Sequence, residues 1–329
     1  MTAEKQFLVI GAGTMGSGHA RMLASGRVPG ASLAGVVDVD GARALELANA
    51  TGSRAFGDIE TAVRETGATA AYVATPDALH RAPVEALARA GLAVLVEKPL
   101  ATTNEDAQAM VEAVNAAGVY AEVNYSNRWN PPFIEASRAV STGEIGEIRT
   151  FNARLNNPVS SPRELLGWSG KTTPAWFLMS HCLDLAYWLA GRPAVSVYAS
   201  GGRGELSSHG IETYDWIHAT VRYSGGLDGV FESCWILPDS WPAGIEFNFR
   251  AIGTRGALTI DNTFQNISIT SAQHRFPSTL NWAPQRFQAF TRAMDGQGRT
   301  RVSFEDAAET TRVLVAVHRS LESGTVEPV

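Results

Sequence analysis

Cysteine is nearly absent. The 329-residue chain carries two, Cys182 and Cys234, far apart and outside any CxxC spacing. That excludes a disulfide framework and a cysteine-built zinc site, and it makes a reducing, cytoplasmic setting the expectation. Long apolar runs are missing as well. None approaches the roughly 18 residues of a membrane span, and the opening Met-Thr-Ala-Glu-Lys lacks the pattern of a secretory signal. No membrane association is therefore expected. Basic charge is not in excess: 27 Lys and Arg stand against 33 Asp and Glu, a formal net charge of -6. Nucleic-acid binding needs a basic face, so no nucleic-acid partner is expected. His19, His218 and His318 have no second ligand close in sequence, and no metal site is read. Internal repeats and low-complexity tracts are lacking too. What remains is 45% hydrophobic and 18% charged, an ordinary globular composition. Its length suits two domains of about 100–200 residues each.

The first third alternates apolar runs with helical patterns. Strands are expected at 7–10, 33–37, 70–74, 93–96 and 119–125, with helices from the end of the glycine loop to about 25, then at 42–50, 83–90 and 104–117. Thr103 is placed to cap the last of these. This alternation implies βαβ units and a parallel sheet. Runs apolar at every position, such as Leu92 to Val96, fit strands covered on both faces. After about residue 125 the pattern changes. Helices are expected at 132–141 and 174–189. Strands then follow one another at 194–201, 211–223, 228–237, 245–253, 257–260 and 266–270, the mark of an antiparallel sheet. The expected division is 1–125 and 126–329, with a last helix, 304–321, able to dock on either part.

Gly11-Ala-Gly13-Thr14-Met15-Gly16 fits GxGxxG between a strand and a helix. The first glycine permits the tight turn, the second admits a pyrophosphate to the backbone, and the third lets helix and strand pack closely. Helix N-terminal N–H groups then bind the anion. Asp38 ends the next strand, 22 residues past Gly16. A carboxylate there accepts hydrogen bonds from a ribose diol and repels a 2′-phosphate, which favours NAD; the nearby Arg43 keeps NADP open. Thr75-Pro76-Asp77 and Glu97-Lys98-Pro99 each follow a strand. Ligands of open α/β sheets bind outside the carboxyl ends of the strands, so these segments are expected at the same crevice. A lysine placed there stabilises negative charge on a substrate oxygen; a solvated surface lysine is the bland alternative.

The residues Gly11-x-Gly13-x-x-Gly16, Asp38, Thr75-Pro76-x-x-x-His80, Gly91 and Glu97-Lys98-Pro99 resemble the glucose–fructose oxidoreductase / inositol dehydrogenase (Gfo/Idh/MocA) family of nicotinamide-dependent enzymes. The resemblance continues in Arg128-Trp-Asn-Pro131, in His181-Cys-Leu-Asp184 with Trp188-Leu-Ala-Gly191, and in Ile252-Gly-Thr-Arg-Gly-Ala-Leu258, so it spans roughly residues 6–262. It implies an N-terminal Rossmann domain plus a C-terminal α+β domain with a large open, mostly antiparallel sheet. It implies cofactor contacts at Gly11, Gly13, Thr14, Met15, Gly16, Asp38, Thr75, Pro76, His80, Glu97 and Lys98; Asn127, just past the last Rossmann strand, is a further candidate by its position. It implies that Lys98 and His181 meet the substrate and catalyse, with Asp184 beside them in the catalytic set; Arg128, past the last Rossmann strand, and Trp168 and Trp176, before His181, are further substrate candidates by their place in the chain. His181 suits a general base, since the unperturbed imidazole titrates near 6.5. Asp184, three residues on, shares its helix face and could position it, or cap a neighbouring backbone group.

One departure stands out. Many family members carry an aspartate four residues before the histidine; here that residue is Phe177, beside Trp176. Aromatic faces there either pack against the C–H side of a sugar ring or simply fill the core. The expected activity is hydride transfer between NAD(P) and a secondary hydroxyl of a sugar, sugar derivative or cyclitol. Two alternatives remain: an NAD-dependent glycosidase or lyase that oxidises transiently, and a non-catalytic nucleotide or sugar sensor. A homodimer or homotetramer through the open sheet is also expected from the resemblance.

Overall fold

The structure, a computed structural model, describes residues 4–241, 244–262, 266–271, 275–279, 286–298 and 300–329. The chain forms two compact units: 1–126 with 284–308, and 127–283 with 309–329.

The first unit contains β1 (Lys5–Ile10), α1 (Thr14–Ala24), β2 (Ala31–Val37), α2 (Gly41–Thr51), β3 (Arg54–Phe56), α3 (Ile59–Thr66), β4 (Ala70–Val73), α4 (Arg81–Arg89), β5 (Ala93–Val96), α5 (Asn104–Ala117) and β6 (Ala121–Val123). The strands form one parallel sheet in the order β3-β2-β1-β4-β5-β6. Every residue of β4 and β5 is buried, as expected of strands covered on both faces. Asp40 and Asp58 cap α2 and α3, and Thr103 caps α5 by accepting the Asp106 N–H at 3.1 Å. The sequence pattern missed β3 and α3. Three residues are too few to show a period, and α3 buries only Ala62.

The second unit follows with α6 (Pro131–Ser141), β7 (Ile148–Pro158), α7 (Ser180–Ala190), β8 (Ala194–Gly202), α8 (Glu205–Ser208), β9 (Trp216–Tyr223), β10 (Leu227–Leu237), β11 (Glu246–Gly253), β12 (Gly256–Asp261), β13 (Asn266–Ser271) and β14 (Arg275–Thr279). Then come α9 (Arg286–Met294), which belongs to the first unit, α10 (Phe304–Ser323), within which the division between units falls, and β15 (Glu327–Pro328). A nine-stranded sheet runs β14-β13-β12-β11-β7-β10-β9-β8-β15. Its described pairings are antiparallel except β7 with β10. Alternation sorts its faces. On β9, Ile217, Ala219, Val221 and Tyr223 are buried, while His218, Thr220 and Arg222 are exposed. The buried face shares one core with Phe133 of α6, Leu185 of α7 and Leu314 of α10.

Two expectations need correction. The strand placed at 211–223 begins only at Trp216. Asp215 instead accepts the N–H groups of Glu205 and Leu206 at 2.8 Å, which fixes the short helix α8 against the strand entry. The helix expected over 174–189 is two pieces, a widened π turn over Ala175–Met179 and then α7. Among the described residues no helix is long and apolar enough to cross a membrane.

Candidate active site

In the first unit the site grows from the carboxyl ends of β1, β2, β4 and β5, where the strand order reverses between β1 and β4. Gly11 has φ of +98°, and a Cβ on it would lie 2.7 Å from the Ala74 carbonyl oxygen. Only glycine brings the loop after β1 so close to the exit of β4. A Cβ on Gly16 would lie 1.8 Å from the Gly11 oxygen, so this glycine sets the packing of α1 on β1. Gly13 differs: among the described residues nothing lies within 4 Å of its Cβ position. That open side faces the start of α1, which has no side-chain cap and no acidic residue in its first turn. Thr14 and Met15 are exposed there. A dinucleotide pyrophosphate fits this place: the uncapped N–H groups at the start of a helix and room for its oxygens.

Asp38 stands beside it. Its Oδ2 accepts the Ala12 N–H at 2.7 Å and its Oδ1 the Asp40 N–H at 2.8 Å, which aims the carboxylate across the glycine loop. Arg43, the residue that kept NADP open, donates its Nε to Asp40 at 2.8 Å.

The exits of β4 and β5 are tied by His80. Its ring is almost wholly enclosed, with Nδ1 at 3.0 and 3.1 Å from the carbonyl oxygens of Pro99 and Leu100, and Nε2 at 3.0 Å from that of Thr75. The imidazole thus spans the two segments that carry Pro76 and Lys98. The Lys98–Pro99 peptide is cis. Burial pushes the Lys98 ammonium below its ordinary value, against the opposing charges of Asp77 and Glu97. Glu97 is buried too. Its Oε1 accepts from Tyr72 and from Asn124 Nδ2 at 2.7 Å, and its Oε2 from the Lys98 N–H at 3.2 Å. Burial alone would raise its pKa, but His19, Lys98 and Tyr72 outweigh it and hold the carboxyl below the usual range.

In the second unit α7 carries His181, half-buried, and Asp184, fully buried. Asn127 Nδ2 lies 3.4 Å from His181 Nδ1. The adjacent Arg128 is enclosed and forms a two-point ion pair with Asp184, Nη2 to Oδ1 at 2.7 Å and Nε to Oδ2 at 3.1 Å. The start of this unit and α7 are therefore locked together. Trp176 is buried and stacks on His318 with centroids 4.6 Å apart and planes 12° apart. Phe177 and Trp168 are half-buried and touch edge to face at 6.4 Å, and Phe177 also leans on the fully buried Trp235 at 5.8 Å. Four residues before His181, Phe177 lies in the π turn that leads into α7.

Each unit thus gathers its own share of the expected residues. The glycine loop, Asp38, Thr75, Pro76, His80, Glu97 and Lys98 converge in the first; Asn127, Arg128, His181 and Asp184 converge in the second. Sequence patterns alone do not single out His19, which faces Glu97 at 3.6 Å from α1. A signal existed: His19 lies three residues past Gly16, where α1 turns its buried face to the sheet beside Ala20 and Leu23. Among the described residues, no group of three or more His, Cys, Asp or Glu side chains is placed to hold a metal ion.

Such a construction defines a nicotinamide-dependent oxidoreductase acting on CH–OH groups, with NAD as cofactor. Residues 5–125 match the oxidoreductase family with an NAD-binding Rossmann fold, and residues 133–259 match the Gfo/Idh/MocA C-terminal domain. The chain belongs to the Gfo/Idh/MocA oxidoreductase family. Among its relatives is the scyllo-inositol 2-dehydrogenase (NAD(+)) of Bacillus subtilis (strain 168), 28% identical over 278 residues, covering 83% of this chain and 79% of that protein. The 1,5-anhydro-D-fructose reductase of Ensifer adhaerens is 28% identical over 314 residues, 91% of each chain. In fold, the chain is similar to the WlbA dehydrogenase from Bordetella pertussis, solved with NADH and UDP-GlcNAcA, with a TM-score of 0.83, 24% identity and 99% of each chain covered.

Proposed function

We propose that this protein oxidises a secondary hydroxyl of a cyclitol, sugar or sugar derivative, with Lys98 and His181 as its catalytic pair. The observation that carries the reading is the half-buried lysine held at the β5 exit, on the same sheet edge as a glycine loop built for a pyrophosphate. The relatives point the same way: several are named for inositol oxidation.

Bound NAD supplies the hydride acceptor. His181, half-buried on α7, takes the hydroxyl proton. Lys98 stabilises the negative charge that develops on the substrate oxygen. Asp184 is a positioning residue, since it holds Arg128 and with it the neighbouring Asn127. The enclosed side chains of Arg128, Trp176 and His80 serve to brace the site. Substrate contact falls to Lys98, His181, Trp168 and Phe177, the last two offering flat apolar surface to the C–H face of a ring. Asp38, Gly13, Thr14, Met15, Thr75 and Pro76 border the cofactor. The outer face of the nine-stranded sheet is the surface through which two or four copies associate.

Purified protein with NAD and a panel of inositols and sugars should form NADH, read by absorbance. Lys98→Ala should lower turnover at least about a hundredfold, the usual reach of a single electrostatic or proton-transfer group, while NAD still binds by calorimetry. No NADH across the panel with NAD bound, or undiminished turnover in Lys98→Ala, would overturn the assignment. Release of product without net NADH would instead favour the transient-oxidation lyase.

A further inference from the structure

The first unit holds a polar cluster that cofactor binding and proton transfer leave unused. It gathers His19 from α1, Tyr72 from β4, Glu97 from the β5 exit and Asn124 from the β6 exit, all at most 6% exposed. Around it the core is apolar and aromatic. The His19 ring meets Tyr72 at 4.3 Å and Phe287 at 5.5 Å. Removing ionisable groups from water is costly unless a fixed set of partners replaces it. Here the partners are supplied on every side. Glu97 shares its strand face with the core residue Leu95, two positions earlier. This turns its carboxylate into the unit, and Asn124 Nδ2 bridges to it and, at 3.1 Å, to the Tyr72 hydroxyl.

We propose that Glu97 is a positioning residue for Lys98: its carboxylate, fixed by Tyr72, Asn124 and His19, grips the Lys98 backbone and links it to the helix that starts at the glycine loop. The inference rests on the catalytic reading of Lys98 given above. The connection is short. Gly13 opens α1, His19 lies on the second turn of α1, its Nε2 is 3.6 Å from Glu97, and Glu97 accepts the Lys98 N–H at 3.2 Å. Helix α1 and the lysine are thus joined through one buried anion. That anion has a second effect, on charge. Within the first unit Asp77 and Glu97 are the acidic groups that favour the Lys98 ammonium against its burial, and His19 and Tyr72 face Glu97 itself. Glu97 therefore favours the charged form of the side chain against its burial, as well as placing the backbone.

The test reads Lys98 directly. Competitive acetylation of the amines across a pH series, followed by peptide mass spectrometry, gives the titration midpoint of Lys98 with no substrate present. Glu97→Gln keeps the shape and removes the charge. The midpoint should fall, so that at a pH below it Lys98 labels faster than in the wild type, about tenfold for a midpoint one pH unit lower. Glu97→Asp, which keeps the charge, should restore most of the midpoint. In the assay, Glu97→Gln should lower kcat with little change in KM for NAD. An unmoved Lys98 midpoint in folded Glu97→Gln overturns the proposal. If that variant does not fold, the double variant His19→Gln with Glu97→Gln replaces both ionisable groups by neutral ones, and the same midpoint decides. Because labelling needs no turnover, a lowered midpoint in a protein that oxidises no polyol keeps the role of Glu97 and removes the proposed function. An unmoved midpoint in an active dehydrogenase does the reverse.

Discussion

Gly13 and Gly16 share one motif and carry opposite consequences. A methyl group on Gly16 would stand 1.8 Å from a backbone oxygen, where nothing can yield. Gly16→Ala should therefore cost about 1–3 kcal/mol or more by overpacking, read as a lowered thermal midpoint with or without NAD. A methyl group on Gly13 meets no atom of the described residues within 4 Å. Gly13→Ala should leave the melting of the unliganded protein nearly unchanged and weaken NAD about tenfold or more, that is about 1.4 kcal/mol, measured by calorimetry. Equal effects of the two substitutions would refute this division between packing and binding. Both glycines are visible in the motif, and the close approach of Gly11 to Ala74 follows from the turn that the motif builds. The grip of His80 on three carbonyls is a different case. Its neighbours lie 5, 19 and 20 residues away, and no local pattern announces them.

At the scale of elements, α7 is held from two directions. On one side Asp184 pairs with Arg128 where both side chains are 1% exposed. Removing one partner strands a buried charge, at a cost of about 3–5 kcal/mol. Asp184→Ala should show that loss in chemical denaturation, and Arg128→Met added to Asp184→Leu should recover much of it. A loss below about 1 kcal/mol for the single change would mean that water enters the pair. On the other side α10 is fastened to the turn before α7 by His318. The Leu314 carbonyl only accepts, so Nδ1, 2.7 Å away, carries the proton, and Nε2 accepts from the Thr173 hydroxyl at 2.8 Å. Burial holds the pKa of His318 below its ordinary value, with the Leu314 bond and Glu322 opposing. A group whose folded pKa lies below its unfolded one stabilises the fold above the unfolded value. That contribution is lost as pH falls through about 6.5 toward the folded pKa, by at most about 1.4 kcal/mol per pH unit. Thermal unfolding from pH 7.5 to 5 should fall more steeply for the wild type than for His318→Gln; parallel curves would exclude His318 as the cause. The strands and helices here were legible where they are long and periodic. The π turn at Ala175–Met179 was not, because one inserted residue per turn leaves an apolar run looking like an ordinary helix.

Over the whole molecule, the outer face of the nine-stranded sheet carries exposed Val195, Tyr198, Val230 and Ile252 among paired charges such as Arg222 with Asp228 and Arg154 with Glu246. A face so large, apolar in patches and already neutralised, suits a second copy of the same surface. Light scattering at micromolar concentration should give a dimer or tetramer, and Val230→Lys should shift it toward the monomer. A monomer in the wild type would remove the proposal. By itself the amino-acid sequence determined the layer architecture, the glycine loop with Asp38, and the lysine and histidine segments. Each of these is written in local spacing, and strand alternation and turn chemistry act over a few residues. Only the tertiary structure decided that Asp184 answers to Arg128, that Trp176 lies against His318, and that Glu97 closes on His19, Tyr72 and Asn124. The reason is physical: a buried polar group takes whichever partner the packing brings within about 3 Å, and residues far apart in the chain carry no mark of that meeting.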